Sequence, residues 1–431
     1  MSPGFELPGV PAALLGLLQV AAGDQRLALV GGAVRDLLLH RVHNDPWRGL
    51  PDLDLVVQGS AAVLVGRLQS ELTAQAAAGA KVCLAAAQEH GAYGTVELEL
   101  LLAGQTVLLD VATARREQYP QLGENPQVSF GALEQDLARR DFTINAMALV
   151  LASGQLLDPH GGQRDLERRQ LRWLHAGSVA DDPTRLVRGA RYGARLGFDL
   201  APESQLQARS TLEIWPWSWR PGDPPAQAPS ALGTRLRMEL ELLLAREPWP
   251  QALGLLQQWG GLQLLDAALQ AEPAQARLRR LRWAQRFGLP LLPALVAGAA
   301  APLALAERLQ LPHRDHKLLA QWLELRRRWQ HQQQAGVPWH QWGVAPWCQW
   351  LEAAGLSPEA VALELATGGV GSQQLPGLPR RPMLRWWLCW RHLKAPCSAA
   401  ELMAAEGLRP GPALGERLRQ LRAERLAQER C

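Results

Sequence analysis

Two short stretches near the start of the chain combine residue types that could bind a nucleotide and a metal. The first, LVGGAVRD at 29–36, places Gly31 and Gly32 at the end of an apolar run, with Arg35 just beyond them. Glycines let backbone N–H groups approach an anion closely, and the N-terminus of a following helix favours phosphate. An ordinary strand, turn and helix could carry the same glycines, so this stretch needs support from elsewhere in the chain.

The second stretch, PDLDLVV at 51–57, carries Asp52 and Asp54 two positions apart, which places them on the same face of a strand. Neighbouring carboxylates in an apolar strand repel each other and resist burial, unless a divalent cation such as Mg²⁺ binds them. Asp110 ends another apolar run, QTVLLD, and a neighbouring strand could bring it beside the pair. These residues predict a two-metal site that activates a hydroxyl and neutralises a leaving phosphate.

A third polar cluster precedes a segment that is predicted to be buried. In LARRDFTINAMAL, at 137–149, Asp141 and Asn145 are four positions apart and would share a face if the stretch is helical. Arginine suits triphosphate, whereas aspartate and asparagine suit sugar hydroxyls, so Arg139 and Arg140 join them as candidate nucleotide ligands. Helix capping is the alternative for this stretch taken by itself.

A fourth stretch, ADDPTRLVRGARYGARLGF at 180–198, could recognise a base. Asp-Pro is typical of a helix start, and Arg185, Arg188 and Arg191 follow at intervals of three as a basic helix face. Asp182 and Arg185 are neighbours on that helix. A carboxylate accepts from an exocyclic amine and a guanidinium donates to a ring nitrogen or carbonyl, so the two could read the edge of cytosine or adenine.

The elements that must position these residues change character along the chain. Up to about residue 172, short apolar runs predict strands, and 60–77 predicts an amphipathic helix. Beyond about residue 173, Leu, Ala, Arg and Trp at helical spacing predict helices separated by prolines and glycines, with a loop at 215–233. We therefore expect an α+β protein, in which a mixed β-sheet with helices is followed by an all-α part.

Composition excludes several classes of protein. The 431 residues are 47% hydrophobic and 20% charged, as in a globular protein of several domains. Five cysteines without a CxxC pair predict neither a disulfide framework nor a zinc site, so a reducing cytoplasm is the expected location. The sequence shows no signal peptide and no apolar stretch long enough to cross a membrane, and no membrane association is expected.

The basic and aromatic residues of the second half suggest an anionic partner. The net charge of +4 is mild, but arginine clusters recur beyond about residue 275, and arginine suits phosphate. Solvated helix faces are an equally good reading of these clusters. Many of the 17 tryptophans also lie there; we expect most to pack in cores and a minority to be available for stacking on bases.

In chain order, these motifs resemble those of the class II tRNA nucleotidyltransferase and poly(A) polymerase family. The resemblance covers about residues 27–245, and RRDFTINAMA is its strongest motif. It implies a catalytic nucleotidyltransferase head at 1–172, a helical neck with base recognition at 173–250, and helical body and tail domains that bind tRNA at 251–431. The implied activity is template-independent addition of C, with or without A, from CTP and ATP to the 3′ end of tRNA. No protein partner is evident.

The resemblance also assigns roles to single residues. Asp52 and Asp54 would hold Mg²⁺, and Asp110 completes the implied catalytic set. Asp141 would recognise the ribose 2′-hydroxyl, while Asp182 and Arg185 would form the amino-acid template for the incoming base. The implied nucleotide-binding residues are Gly31, Gly32, Arg35, Arg115, Arg140, Asp141, Asn145, Asp182, Arg185, Arg188 and Arg191, of which the last two contact phosphate or order the neck.

The sequence departs from the family pattern at two places. The segment between the Arg-Asp pair and the DLD strand is about six residues longer than usual, with His40 where glycine is common. We interpret it as a surface loop extension, which costs little closure entropy. The template motif begins with Asp181, where glutamate is more common in the family.

Several activities stay open at this stage. CCA addition, CC addition, A addition and poly(A) synthesis share these motifs, and the fairly long segment at 116–137 favours CCA or CC addition over A addition alone. A catalytically dead RNA-binding relative is the alternative from another class. A metal-dependent phosphohydrolase is a minor one, suggested by His313, Asp315 and His316 in LPHRDHK, but no further ligand set accompanies them.

Overall fold

The chain folds into two compact units in a computed structural model that describes residues 7–49, 53–77, 82–91, 94–102, 104–368 and 378–429. Unit 1 comprises Met1–Ser218, Pro229–Ala231 and Glu247–Gly260, and unit 2 comprises Trp219–Ala228, Leu232–Arg246 and Gly261–Cys431. The predicted α+β class is confirmed, because the main sheet lies in the first part of the chain and helices follow it. The predicted functional boundaries at 172 and 250 stay predictions.

The centre of unit 1 is a mixed seven-stranded sheet. Its strands are β1 (Arg26–Val30), β2 (Leu53–Gln58), β3 (Val82–His90), β4 (Thr95–Leu102), β5 (Gln105–Thr113), β8 (Ala148–Val150) and β9 (Leu156–Leu157), and they lie in the order β3-β4-β5-β2-β1-β8-β9. β2 and β5 run parallel, whereas the other neighbours are antiparallel. Each of the apolar runs predicted as strands, at 26–32, 52–57, 80–86, 94–102 and 105–113, contains a strand within its described residues. β4 buries alternate residues, as its sequence period of two requires.

Helices cover this sheet and extend beyond it. Two-stranded sheets add β6 (Arg115–Gln118) with β7 (Gln127–Phe130), and β10 (Gln170–Leu171) with β11 (Asp199–Leu200). The helices of unit 1 are α1 (Ala12–Ala22), α2 (Gly32–His43), α3 (Ala61–Ala77), α4 (Leu133–Ala138), α5 (Gly162–Glu167), α6 (Ser178–Asp181), α7 (Thr184–Leu196), α8 (Pro202–Ile214) and α10 (Trp249–Gln258). The loop predicted at 215–233 holds two 3₁₀ turns and neither an α-helix nor a strand.

Helix α7, which carries the predicted base-recognition arginines, packs closely against its neighbours. A Cβ atom on Gly193 would lie 2.8 Å from Leu255 Cδ1 of α10 and 2.9 Å from the Phe198 carbonyl oxygen. A larger residue at this position would push α7 away from α10. The glycine therefore fixes the distance between the two helices, and with it the placement of α7 in unit 1.

Unit 2 is helical, as the sequence predicts. Its helices are α9 (Thr234–Arg246), α11 (Ala267–Ala271), α12 (Ala274–Arg286), α13 (Leu291–Val296), α14 (Pro302–Arg308), α15 (His313–Gln334), α16 (Val344–Leu351), α17 (Pro358–Thr367), α18 (Arg380–Leu388), α19 (Ala399–Glu406) and α20 (Pro412–Gln428). Trp329, Trp347, Trp386 and Trp390 are buried in one core cluster. No helix in the described part of the chain has both the length and the apolar character needed to cross a bilayer.

Some arginines of unit 2 stabilise the fold instead of presenting charge to a partner. Arg280 is buried and forms an ion pair with Glu272. Arg308 is 3% exposed and donates to the carbonyl oxygens of Leu264 and Leu265 at 2.9 and 2.8 Å. Burial lowers the pKa of Arg308 to about 10. The arginine content of this half is therefore partly structural.

Candidate active site

Asp54 and Asp110 lie opposite each other on adjacent parallel strands. The register of β2 and β5 pairs Asp54 directly with Asp110, and both residues are half-buried. Strands in a sheet are about 4.8 Å apart, and paired residues project from the same face, so the two carboxyl groups are neighbours. The predicted approach of Asp110 to the DLD strand is therefore present. Asp52 lies outside the described residues.

Gly31 brings the backbone close to this carboxylate pair. It lies between β1 and α2 with a φ of +68°, a conformation that favours glycine. A Cβ atom here would lie 3.1 Å from Asp54 Oδ2 and 3.2 Å from Arg140 Nη1. The turn thus joins a carboxylate, a guanidinium and the N-terminus of α2 within contact distance, as a triphosphate site beside a metal would require.

We expect Gly31→Ala to lower nucleotide incorporation by about tenfold, because the added methyl group displaces Asp54 or Arg140 by a few tenths of an ångström. The matched control is Gly154→Ala, since Gly154 has a φ of +66° but nothing within 4 Å of the added Cβ. Both variants should lose about 1–3 kcal/mol of stability through backbone strain, and Gly31→Ala should lose more, because its ψ of −133° lies outside the left-handed helical region. Steady-state incorporation and thermal unfolding check this; equal activity losses in the two variants would contradict the crowding argument.

Arg35, Asn145, Asp141 and Arg188 form a continuous polar chain. Buried Arg35 donates from Nη1 to Asn145 Oδ1 at 2.8 Å, and Asn145 Nδ2 donates to Asp141 Oδ1 at 3.1 Å. Arg188 Nη2 lies 3.0 Å from Asp141 Oδ2. Burial alone would raise the pKa of Asp141, but Arg188, Asn145 and Arg185 hold it below its usual range. The side chains of three separate sequence motifs, at 29–36, 137–149 and 180–198, are therefore in direct polar contact.

The helix considered for residues 137–149 is wrong, although the contact that it predicted between Asp141 and Asn145 is present. Helix α4 ends at Ala138, residues 143–145 form a 3₁₀ turn, and β8 follows. Phe142 forms an isolated β-bridge with Trp173, which requires extended backbone immediately after Asp141. Asp141 and Asn145 still contact each other because the chain turns sharply between them. The segment that follows is buried, as expected, with Ala146, Met147 and Ala148 fully inaccessible.

Asp182 and Arg185 occupy the junction between α6 and α7, and both are 4% exposed. Asp182 Oδ1 accepts from Thr184 N at 3.1 Å and from Thr184 Oγ1 at 2.6 Å, so the capping role considered from the sequence is present. Arg185 donates to the carbonyl oxygens of Ser178 and Arg139 at 3.3 and 3.1 Å. Both side chains are thereby held in fixed positions near the start of α7.

The other two arginines of α7 pair with carboxylates. Arg188 pairs with Asp141, as described above, and Arg191 Nε lies 3.4 Å from the buried carboxylate of Glu247. Arg195 also forms an ion pair with Glu247. Of the two roles expected for Arg188 and Arg191, these contacts favour ordering of the helix.

The sequence reasoning missed Asp136 and Glu117, which organise the arginines around the site. Asp136 is fully buried and accepts from Arg139 Nη2 at 2.7 Å and from Arg140 Nη2 at 3.0 Å. Glu117 on β6 accepts from Arg139 Nη1 at 3.0 Å and Arg115 Nε at 3.2 Å. Asp136 precedes its partners by three and four positions, a spacing that could have identified it. No local signal in the sequence identifies Glu117.

We expect Asp136→Asn to lower the stability by about 2 kcal/mol at pH 7, because a neutral amide removes the carboxylate that pairs with half-buried Arg140 and one of the two carboxylates that pair with half-buried Arg139. Burial alone would raise the pKa of Asp136, but Arg140 and Arg139 hold it below its usual value. A lowered pKa stabilises the fold above about pH 4, the unfolded value, and the contribution is lost as the pH falls through the folded pKa. The difference in unfolding temperature between Asp136→Asn and the wild type should therefore shrink as the pH is lowered from 7 to 3. A difference that stays constant would contradict the ionic role.

The extended segment after α2 is anchored within unit 1. Asp45 accepts from Arg169 Nη1 and Nη2 at 2.7 and 2.6 Å, and Arg48 Nη1 donates to the Arg195 carbonyl oxygen at 2.9 Å. His40 Nδ1 lies 2.9 Å from the Asp45 carbonyl oxygen. The prediction of a surface loop is therefore wrong for the first part of the segment, which continues α2 through His40 to His43. From residue 44 to the limit of the described residues at 49, the segment is a loop that contacts the C-terminal end of α7.

The remaining minor reading, a His-Asp metal centre at LPHRDHK, gains no support. His313, Asp315 and His316 lie in the first turn of α15. Within the described ranges, no group of three or more His, Cys, Asp or Glu side chains is arranged so that it could hold a metal ion.

At the glycine turn, the carboxylates of Asp54 and Asp110 form a pair, and hard oxygen donors of this kind suit Mg²⁺.

Comparison with known proteins identifies the family. Residues 27–172 match the family model described as Poly A polymerase head domain. The CC-adding tRNA nucleotidyltransferase of Deinococcus radiodurans is 40% identical over 309 residues, which cover 70% of this chain and 71% of that protein. The A-adding tRNA nucleotidyltransferase of Halalkalibacterium halodurans is 38% identical over 190 residues, which cover 43% of this chain and 39% of that protein.

Solved structures show the same fold. The Thermotoga maritima CCA-adding enzyme complexed with tRNA aligns with a TM-score of 0.63 at 21% identity, covering 97% of this chain and 92% of that one. An apo form of a CCA-adding enzyme aligns with a TM-score of 0.66 at 21% identity, covering 97% of this chain and 93% of that one. The extent of the match to the Deinococcus radiodurans protein, together with the head-domain match, shows that the chain belongs to the tRNA nucleotidyltransferase family.

Proposed function

We propose that the protein adds C residues, followed or not by A, from CTP and ATP to the 3′ end of tRNA without a nucleic-acid template. The observation that carries the proposal is the in-register pair of Asp54 and Asp110 beside the Gly31 turn. This arrangement suits nucleotidyl transfer, because it offers carboxylates next to a site for a triphosphate. The names of the relatives supply tRNA and the nucleotides as substrates.

The metal is proposed to be Mg²⁺, held by Asp52, Asp54 and Asp110. When bound, it would lower the pKa of the attacking 3′-hydroxyl and neutralise charge on the pyrophosphate that leaves. Of these residues, Asp54 and Asp110 are held in place by the sheet, because β1 and β5 flank β2 and pair with it. Sheet strands are rigid supports for such a constellation.

The triphosphate is proposed to lie at the Gly31 turn and the N-terminus of α2. Arg140 Nη1 borders this turn, and Arg140 Nε is buried with no hydrogen-bond partner among the described residues. A phosphate oxygen could accept from such a group. Arg35 donates to Asn145, and Asn145 donates to Asp141, so these hydrogen bonds hold the carboxylate that is proposed to bind the ribose.

Base selection is proposed to depend on Asp182 and Arg185. Their backbone and side-chain contacts hold one acceptor and one donor group at the start of α7. The hairpin of β6 and β7 contacts the preceding residue, since Gly123 N–H donates to the Asp181 carbonyl oxygen at 3.1 Å. The segment at 116–137, which favours C addition on sequence grounds, is thus connected to the proposed template.

The experiment that tests the function uses tRNAs that end at the discriminator base, at C and at CC. Each is incubated with CTP, ATP or both, and product lengths are read on a gel. We expect addition of C to the first two substrates; arrest after CC identifies a CC-adding enzyme, and growth by three a CCA-adding enzyme. Addition of A alone, growth beyond three nucleotides, or binding without addition would contradict the proposal in favour of an A-adding enzyme, a poly(A) polymerase or an inactive relative.

A reducing cytoplasm is proposed as the location. Cys83, Cys348, Cys389 and Cys397 are free thiols, which suits a compartment that does not form disulfides.

A further inference from the structure

Unit 2 contains an aromatic cavity that the proposed catalysis does not use. It has a volume of about 180 Å³ and lies between residues 339–347 and helix α18. The residues that carry the argument line it together: Trp339, Trp342, Trp347, Trp390, Arg381 and Arg385. Pockets that enclose drug-sized ligands are roughly 300–1,000 Å³, so this one suits a single ring system.

The indole rings of the cavity are held in place by the core behind them. Trp347 and Trp390 are buried, whereas Trp339 and Trp342 are half-buried at the edge of the core cluster. The Trp342 ring packs against Trp347 at 4.9 Å with an interplanar angle of 68°, and Trp339 packs against Trp329 at 5.5 Å. These edge contacts fix the rim rings before any ligand arrives, which lowers the entropic cost of binding.

The charge around the cavity favours an anion. Arg381 and Arg385 are four positions apart on α18 and so lie on the same face of that helix. Arg381 is exposed, and exposed His340 also lines the cavity. The lining residues within the described chain include these basic groups and no carboxylate. An aromatic ring joined to a phosphate matches both the indoles and the guanidinium groups.

We propose that this cavity binds one unstacked nucleotide of an RNA chain, with the base against the tryptophans and its phosphate on Arg381 and Arg385. The inference rests on the proposed function for the identity of the RNA as tRNA. It goes beyond that function because the helical half then holds a base as well as the shape and phosphates of the substrate. Tryptophan-lined grooves also bind proline-rich peptides, but the basic rim favours the nucleic acid.

The test measures binding of fluorescently labelled tRNA without its CCA end to the full-length protein by anisotropy. Trp342→Ala and the double variant Arg381→Gln with Arg385→Gln should each raise the Kd by about tenfold, the size of one lost base stack. Trp342→Phe should keep the Kd within about twofold, because an aromatic face remains. Incorporation at saturating tRNA should be unchanged in all three variants.

Two matched controls separate binding from folding. Trp283→Ala removes a half-buried indole that stacks on Phe287 in the same unit and does not line the cavity, and Arg409→Gln removes an exposed charge elsewhere in unit 2. Neither should change the Kd. An equal loss in Trp283→Ala, or no loss in the cavity variants, overturns the proposal.

Four further probes separate the sources of the ligand. A single-stranded RNA pentamer should show the same dependence on Trp342, and a blunt RNA duplex should not. Displacement of the pentamer by AMP at equal concentration would identify a free nucleotide as the ligand, and binding of a proline-rich peptide would identify a protein partner; either result overturns the proposal. If the wild type adds no nucleotide while the Trp342 dependence holds, the proposed function fails and the cavity assignment stands.

Discussion

Replacing Asp54 with alanine should reduce incorporation of labelled CMP into tRNA by about 10³-fold or more, because it removes one of the carboxylates proposed to hold the metal. Asp54 is the acid that the register of β2 places directly opposite Asp110 on β5. tRNA binding should remain, since the helical half supplies most of the proposed contacts. Single-turnover incorporation and filter binding of tRNA measure the two properties separately.

The control for this variant is Glu99→Ala on β4. Glu99 is exposed on the same face of the sheet and pairs with Leu108, two residues before Asp110 on β5. Glu99→Ala should retain wild-type incorporation. That result would show that removing an exposed carboxylate from this face does not by itself reduce incorporation. Retained turnover in Asp54→Ala would remove the metal assignment, whereas loss of tRNA binding would indicate a folding defect.

The proximity of the candidate site residues could largely be predicted from sequence, because short-range rules govern its parts. The period of two along a strand places the charged residues of β2 and β5 on a common face, and glycines at a strand end predict a turn near an anion. The pairing of β2 with β5 itself could not be predicted from these rules. It depends on which strands share an edge, and β3 and β4 lie between them in the chain.

The contact between Asp141 and Asn145 was predicted from the wrong local structure. A helix and a sharp turn both bring residues four apart together, so the spacing alone could not distinguish them. The bridge from Phe142 to Trp173 decides between the two, and it joins residues that are far apart in sequence. Glu117 escaped the sequence analysis for the same reason, because Arg139 reaches it across 22 positions.

In the helical half, the sequence predicts the elements but not the roles of their side chains. Helical spacing and prolines near helix starts identify the segments. Whether an arginine is structural depends on tertiary contacts, as Arg280 and Arg308 show through their buried partners. The same limit applies to tryptophan: Trp342 and Trp347 line the same cavity, but Trp347 is buried in the core cluster while Trp342, five residues before it, is half-buried at the rim.

Replacing Arg185 with alanine should lower kcat/KM for CTP by about 10²-fold and reduce the preference for CTP over UTP by a similar factor. The reason is that the base loses the guanidinium N–H donors that are proposed to recognise it. The two backbone acceptors that hold Arg185, Ser178 O and Arg139 O, make its guanidinium a fixed donor in place of a mobile charge. Arg185→Lys should remain impaired, since a lysine ammonium cannot reproduce the planar fork. Competition between labelled CTP and UTP measures the preference directly.

The control is Arg209→Ala, which removes an exposed arginine from α8 in the same unit and should leave both values unchanged. Arg185→Ala must also keep its response to Mg²⁺ concentration, because Asp54 and Asp110 of the proposed metal site lie on β2 and β5 and not on α7. An altered metal requirement with unchanged CTP and UTP discrimination would assign Arg185 to positioning of the catalytic residues. A lost preference with an unaltered metal requirement separates base choice from catalysis, as expected if Asp182 and Arg185 act as the template.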